Sequence, residues 1–486
     1  MFLFLFCLYL LTSSGRVRTI DEVLVDLETE SLATRGTTAV PQAVSAGIFY
    51  GTVDRHGNPQ APYGAGQAVA SLPWFALGRA VRALLPGIPA QAGDAAGDAV
   101  LTASSAAYAA LAATLFFLLL THSGAGYAAS LLGTFLLALA TPLFAYSSWF
   151  FSEPLAAALL VGAGVALFPP QDVEFISGRR AAVAGALLGC ALWVRPTHVI
   201  AVPVFVLAAA MRSRGHALRT AVLVAAVAGS FGAAYLLRNE FLFGSFFDFG
   251  YPPAAEGGRR LNTFETPLAT GLYGLLFSPG KSLFLFAPPL LLALPGLWRL
   301  ARGNRALAVV AGLTPLVYLL FFARYTQWEG GYCFGPRYLV PVIPLLALGL
   351  GPMLAGCDRR ILRLAAVLAV AGFVVQGIGM STSFLEDQAA GHYYDAQWNY
   401  RMSYAPLASQ SRLLLHYLGS AGAAPMGRGF DRWFVFLSKA GVAHGTLAGV
   451  LGLELAGMLF FGWRLLMLAR HRGPYAGEPP LQSSGA

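Results

Sequence analysis

Directly after an apolar opening segment, MFLFLFCLYLLTSSG, the chain places Arg18-Thr19-Ile20-Asp21-Glu22 at the head of the stretch DEVLVDLETESLATRG. A carboxylate in the first turn of a helix is held as the anion by the helix N-terminus, and a general base must be ionised to take a proton. Asp21 and Glu22 are therefore the candidate catalytic pair. Thr19 and Glu22 also match the S/T-x-x-E capping box, which gives Glu22 a structural use that Asp21 does not need. Cations that could meet a developing negative charge come from distant loops: Lys281 in Phe277-Ser278-Pro279-Gly280-Lys281-Ser282, and Arg337 after Trp328, Gly330, Gly331, Gly335 and Pro336, with Arg195 and Arg324 as weaker choices. The lysine loop is no nucleotide-binding Walker A motif, because the glycine required five positions before Gly280 is Leu275. Taken singly, Lys281 reads as a snorkelling lysine and Arg337 as an interfacial anchor. Their occurrence in two Gly/Pro loops at helix boundaries favours one shared anion site. Glu153, in Ser152-Glu153-Pro154, Tyr63 and Trp328 are further candidates to line the same site.

These residues need a scaffold, and composition decides its kind. Of 486 residues, 57% are hydrophobic and 11% charged, with a mean hydropathy of +0.62. Soluble domains carry about 25% charge, so the chain reads as an all-α polytopic membrane protein. Twelve spans are expected, at 1–15, 99–120, 126–145, 154–168, 181–194, 197–211, 220–237, 283–298, 306–323, 338–355, 362–380 and 442–466. The first lacks a basic leading region and is taken as a true span. Arginine clusters, Arg179 and Arg180, then Arg212, Arg214 and Arg219, then Arg299, Arg302 and Arg305, then Arg359, Arg360 and Arg363, then Arg464, Arg470 and Arg472, fall at alternate connections. Lys and Arg are retained on the cytoplasmic side, which puts both termini inside. The chemistry is then external, in 16–98, 238–282, 324–337 and 381–441. The domains follow: a core at 1–380, with 16–98 as an external loop carrying interfacial helices, an external segment at 381–441, a last span at 442–466 and a cytoplasmic tail at 467–486. Ile20, Val23, Leu24 and Leu27 recur at i, i+3, i+4 and i+7, predicting an amphipathic helix lying on the membrane surface.

The same features exclude several classes. The net charge of +9 is dispersed in short clusters and offers no stripe for a nucleic-acid backbone. Four scattered cysteines form neither a disulfide framework nor a zinc site. No metal-ligand set stands out, although a divalent ion is compatible with a phosphate-bearing substrate. No cytoplasmic loop is long enough for a domain, which excludes direct use of ATP or nucleotide sugars. Abundant Ala, Gly and Arg point to a GC-rich bacterium, and so to its inner membrane. Gly441, Gly445 and Gly449 predict a packing ridge on the last span. His392, Tyr393, Tyr394, Trp398, Tyr400 and Tyr404 predict an aromatic external cap, and Glu454 is a costly charge within the last span.

An Asp-Glu pair after the first span, followed by a surface helix, resembles the GT-C glycosyltransferases, which include protein O-mannosyltransferases and the lipid A aminoarabinose transferase. The resemblance continues through Ala61-Pro62-Tyr63-Gly64, QAVASLPWFALGRAVRALL, SSWFFSEPLAAALL, WVRPTHVIAVP, NEFLFGSFFDFGYP, LLFSPGKSLFLFAPPLLLALPG and WEGGYCFGPRYLVPVIPLLAL, and covers most of residues 1–356. The lysine-bearing KPP block of the aminoarabinose transferase is missing. The resemblance implies transfer of a sugar from a polyprenyl-phosphate donor to an envelope lipid, glycan or protein at the outer face, with inversion, Asp21 as base and Glu22 as its neighbour. A transporter or lipid flippase is the rival class, but such proteins show paired repeats and broken midplane helices with ionisable groups. An inactive assembly subunit is a third reading.

Overall fold

Apolar runs become helices wherever no proline intervenes, because a helix satisfies its own backbone groups in a medium that offers none. The computed structural model describes residues 1–84, 89–170, 175–213, 215–252, 255–256, 259–260, 262–386, 396–419 and 429–471. Arg214, His392, Tyr393, Tyr394, Arg472 and the tail beyond it lie outside the described residues. The protein is an all-helical membrane protein. Among the described residues, six segments are long and apolar enough to cross a membrane: Ala90–His122, Ala217–Phe243, Arg305–Arg324, Arg337–Leu354, Arg359–Ser381 and His444–Ala469. Shorter apolar helices include Phe2–Thr12, Tyr127–Ala140 and Glu153–Leu167. The described strands are two small hairpins, Thr52–Val53 with Pro59–Gln60 and Ala255–Glu256 with Arg259–Arg260.

Several expected spans are broken, and proline is the cause. The run expected at 338–355 begins as a 3-10 turn, Arg337–Val342, and continues in short turns to Leu354, since Pro341, Pro344 and Pro352 each remove a backbone donor. The run at 283–298 divides into Leu283–Phe286 and Leu290–Gly303 around Pro288 and Pro289. Helix Gly178–Val194 ends at Arg195, which is extended (φ −148°, ψ 130°) because Pro196 follows.

The helix Ile20–Arg35 does not bury the apolar stripe its periodicity suggests. Its buried face carries Glu22, Leu24, Val25, Glu28 and Thr29, whereas Ile20 is 51% exposed. It packs on helix Gly66–Ala83. That second helix is anchored by close backbone contact: a Cβ on Gly64 would lie 2.0 Å from the Trp193 carbonyl oxygen, and one on Gly66 would lie 2.6 Å from Trp193 C and Val194 N. Tyr63 is thereby brought beside Arg195. The last helix, His444–His471, packs on Phe2–Thr12, but through Gly457 and Gly462. The expected ridge of Gly441, Gly445 and Gly449 is not used: Gly441 caps helix Trp433–Ala440 at φ 100°, and no neighbour lies within 4 Å of the other two.

Replacing Gly66 with Val drives a side chain into rigid backbone and should cost about 1–3 kcal/mol or more. The thermal midpoint in detergent should fall by several degrees for Gly66→Val and stay near wild type for Gly445→Val. Equal midpoints would mean that the backbone contact is not needed.

Candidate active site

Asp21 stands at the second position of the helix Ile20–Arg35, and three side chains converge on it. Arg337 Nη2 lies 2.5 Å from Asp21 Oδ2, Arg195 Nη2 lies 3.4 Å from the same oxygen, and the Tyr63 hydroxyl donates to Oδ1 at 2.5 Å. Each partner is itself held. Arg337 Nε donates to Glu153 Oε1 at 2.7 Å and its guanidinium lies 4.2 Å from the Phe151 ring centroid. Arg195 Nε donates to the Ser152 hydroxyl at 2.9 Å, and its guanidinium stacks over the Tyr63 ring. The Asp21 side chain is 26% exposed while that of Arg337 is 6% exposed, so the carboxylate is presented at the edge of a buried ionic cluster. Asp21, Tyr63, Arg195 and Arg337 line one small pocket together with Gln67 and Ser152.

Electrostatics fix the charge state. Burial raises the Asp21 pKa, but Arg337, Arg195 and the Tyr63 hydrogen bond more than compensate, and the carboxyl is held at about 2. Burial and the Asp21 charge push the Tyr63 phenol well above its ordinary range, so it remains a donor. Two carboxylates, Asp21 and Glu153, balance two guanidiniums. A phosphate entering the cavity competes with Asp21 for them.

Glu22 is fully buried and occupied by backbone. Its Oε2 accepts from Arg18 N and Thr19 N at 2.9 and 2.8 Å, closing the capping box, and its Oε1 accepts from Phe150 N at 3.0 Å. It fixes the start of the Asp21 helix against the Phe150-Phe151-Ser152-Glu153 segment and does not line the cavity. Glu153 lies behind Arg337 as the first residue of helix Glu153–Leu167, and orients the guanidinium from there.

The other candidates are not brought to the cavity. Lys281 Nζ donates to the Cys333 carbonyl at 3.0 Å and touches its sulfur at 3.1 Å, so the buried lysine braces the loop that leads to Arg337. Arg324 is exposed and donates to the Phe264 carbonyl at 3.2 Å. Trp328 is buried against Gly274 and Tyr400. Glu454 lies on the last helix beside Cys7, remote from these contacts. Tyr400 and Trp398 belong to the aromatic segment expected as a cap, where Tyr273 stacks on Tyr400 and Trp398 meets Tyr404. Residues missed in the sequence are Ser152, Phe151 and Gln67; the SSWFFSEP block held the first two, but nothing in it said that they grip arginines. Asn262 was missed as well. It adopts φ 64° and accepts from the Tyr325 hydroxyl at 2.7 Å while donating to Tyr50 at 3.3 Å, tying its loop to both tyrosines. Among the described residues no group of three or more His, Cys, Asp or Glu could hold a metal ion.

An all-helical membrane fold with an Asp-Arg-Arg cluster among helix ends and loops defines the class of protein. No family model and no curated protein matches the chain. Its fold is similar to that of ArnT from Cupriavidus metallidurans in the apo state, a GT-C lipid A aminoarabinose transferase, with TM-score 0.50 and 14% identity over 93% of this chain and 72% of that one. The same transferase bound to undecaprenyl phosphate aligns with TM-score 0.47 and 14% identity, over 94% of this chain and 76% of that one.

Arg337→Met leaves Asp21 without its shortest ion pair and Glu153 buried without any, a loss expected to cost about 3–5 kcal/mol. Adding Glu153→Gln should return part of it. Chemical denaturation of the purified variants measures both; no rescue by the second substitution would separate Glu153 from the stability of Arg337.

Proposed function

We propose that the chain is an integral-membrane inverting glycosyltransferase of GT-C type, with about twelve spans, that moves a sugar from a polyprenyl-phosphate donor to an envelope lipid, glycan or protein. The single observation that carries this reading is the ion pair between Asp21 and Arg337, with Arg195 on the same oxygen, at the edge of a cavity formed by helix ends. Asp21 takes the proton of an acceptor hydroxyl, the acceptor oxygen bonds to the anomeric carbon, and the bond from that carbon to the lipid phosphate breaks with its electron pair on the phosphate. Arg337 and Arg195 meet that charge. Fixed cations aimed at a leaving group contribute where the charge develops, and a guanidinium can meet a phosphate with two hydrogen bonds.

A carboxylate held at about 2 is a weak base. Drawing the two guanidiniums towards a phosphate removes the interactions that hold it there, and desolvation then raises its basicity. The donor itself thus prepares the base. Glu22, Glu153 and Lys281 act as positioning residues, and the phosphate is assigned to Arg337 and Arg195 rather than to Arg337 and Lys281. Tyr63 and Gln67 line the remaining wall, where sugar or acceptor hydroxyls would be met. The site faces outward from a bacterial inner membrane, with both termini cytoplasmic. This reading invokes no nucleotide and no nucleic acid.

Asp21→Asn should lower turnover by about 10²- to 10⁴-fold while the protein remains folded and inserted. Arg195→Lys and Arg337→Lys should each weaken donor use by about tenfold or more, since an ammonium cannot replace the bidentate fork. Lys281→Met should leave the dependence on donor concentration unchanged. The assay is transfer from a radiolabelled polyprenyl-phosphate sugar, the donor being identified by accumulation of lipid-linked sugar in a deletion strain. Near-normal turnover by Asp21→Asn removes the mechanism.

Orientation has its own test. In a background lacking the four native cysteines, external thiol reagents should label single cysteines at Asn58 and Gln397 in intact cells and spare one at Asn304. Labelling at Asn304 would put the site on the wrong side.

A further inference from the structure

Two buried polar clusters lie apart from the Asp21 pocket. In the first, Asp431 is gripped by two arginines: Arg16 Nη2 reaches Oδ1 at 2.9 Å, and Arg18 Nη1 reaches Oδ2. Backbone hydrogen bonds clamp the same place, with Trp433 N to the Ser13 carbonyl and Asp431 N to the Ser381 carbonyl, both at 2.9 Å. This junction fastens the segment ahead of the Asp21 helix. The second cluster joins two loops through Lys281, 2% exposed, and Cys333, fully buried. Lys281 Nζ lies 3.0 Å from the Cys333 carbonyl oxygen and 3.1 Å from its sulfur. The thiol is directed elsewhere, to the Glu329 carbonyl at 3.5 Å. It is therefore a sulfur lone pair, and not the S–H, that faces the lysine nitrogen. Among the described residues no carboxylate forms an ion pair with Lys281.

A thiol oxidised to sulfenic acid is electrophilic at sulfur and condenses with a neighbouring thiol or nitrogen. All four cysteines are free, and the group in contact with the Cys333 sulfur is a lysine nitrogen. We propose that Lys281 and Cys333 form a modification site, at which oxidation of the thiol by hydrogen peroxide joins the two side chains through a sulfur–nitrogen bond. The peroxide O–O bond breaks as one oxygen passes to sulfur, giving the sulfenic acid and water. The Lys281 amine then attacks sulfur, the S–O bond breaks, and the oxygen leaves as water with a proton from the nitrogen. Sulfur is oxidised by two electrons, the peroxide is reduced to two waters, and the protein loses two hydrogens. Peroxide is uncharged and close to water in size, and the cover over the sulfur is thin. Gly330 carries no side chain where a Cβ would lie 3.2 Å from Sγ, and Gly331 beside it is exposed. The flexible four-carbon arm of lysine closes the remaining distance. The bond ties together positions 52 apart and fixes the loop that leads to Arg337. Neither residue lines the Asp21 pocket, so the inference stands whether or not sugar transfer is the reaction.

The chain has two lysines and four cysteines, so cross-linked products are few, and the three less buried cysteines report whether the oxidant has acted. The full-length protein in detergent would be reduced, freed of reductant, and treated with hydrogen peroxide until Cys7, Cys190 and Cys357 are oxidised. It would then be alkylated, digested with chymotrypsin and mapped by mass spectrometry. The expected product is a peptide pair joining Lys281 to Cys333, two hydrogens lighter than the sum of its parts, absent before oxidation and released by dithiothreitol. Lys281→Arg keeps the charge but removes the amine nucleophile, and it should abolish the pair, as should Cys333→Ser. A covalent tie also restricts the unfolded chain, so the thermal midpoint of oxidised wild type should rise by several degrees and that of Lys281→Arg should not. Recovery of Cys333 only as the free thiol, or only as its oxygen acids beside unmodified Lys281, would overturn the proposal. So would an undiminished cross-link in Lys281→Arg. Should Cys333→Ser not fold, the wild-type peptide map and Lys281→Arg keep the test decisive.

Discussion

Arg337 carries more of this structure than any other side chain, because one buried guanidinium serves two carboxylates that come from different helices. Asp21 follows the first helix and Glu153 opens a central one. A buried carboxylate is costly without a cation beside it, and Arg337 supplies that cation to both. The surroundings are organised to hold it still: Phe151 covers its face, the 3-10 turn fixes its backbone, and Lys281 ties down the loop before it. A guanidinium suits this place because its planar fork donates in two directions at once, which an ammonium cannot reproduce.

That constraint explains why the helices near the cluster are short and interrupted. A continuous helix carries its side chains past a membrane level at 1.5 Å per residue. It can deliver one polar residue to a given depth but cannot turn several towards one point. Breaks at Arg195-Pro196 and at Pro336-Arg337-Pro341 let the backbone change direction where the two arginines must face inward. Glycine does the complementary work on the Tyr63 side, where backbone meets backbone without intervening side chains. Proline thus turns the arginines inward, and glycine brings the phenol up to them.

Much of this was legible before any coordinates. Hydropathy gave the fold class, the first-turn position singled out Asp21, and the capping box anticipated the role of Glu22, since Thr19, Ile20 and the apolar run behind them are local signals. Arg337 and Arg195 could be nominated because each sits beside a proline at the end of an apolar run. What could not be read was partnership across the sequence. Lys281 looked as good a phosphate ligand as Arg337, and only packing shows its ammonium spent on the Cys333 carbonyl. Trp328 looked like a sugar platform and is a core residue, because Gly274 leaves room for its ring. Helix Ile20–Arg35 defeated its own periodicity, since Glu22 and Glu28 face inward while Ile20 faces out. The inward face is set by the neighbouring helix Gly66–Ala83, a partner that periodicity alone does not reveal.

The junction at Asp431 has a consequence for how the molecule is made. Arg16 and Arg18 are synthesised well before their partner, which follows 415 and 413 positions later. At about 5–20 residues per second, some 20–80 s separate the two ends. Throughout that interval the segment from Ser13 to Thr19 lacks both the carboxylate and the backbone clamp that later hold it, and the Glu22 cap rests on that segment. The centre at Asp21 therefore reaches its final form only after the segment that bears Asp431 has been inserted. A nascent copy that stops short of Asp431 would hold the earlier helices with this ionic cluster unfinished, so arrival of the Asp431 segment is itself a step in assembling the site.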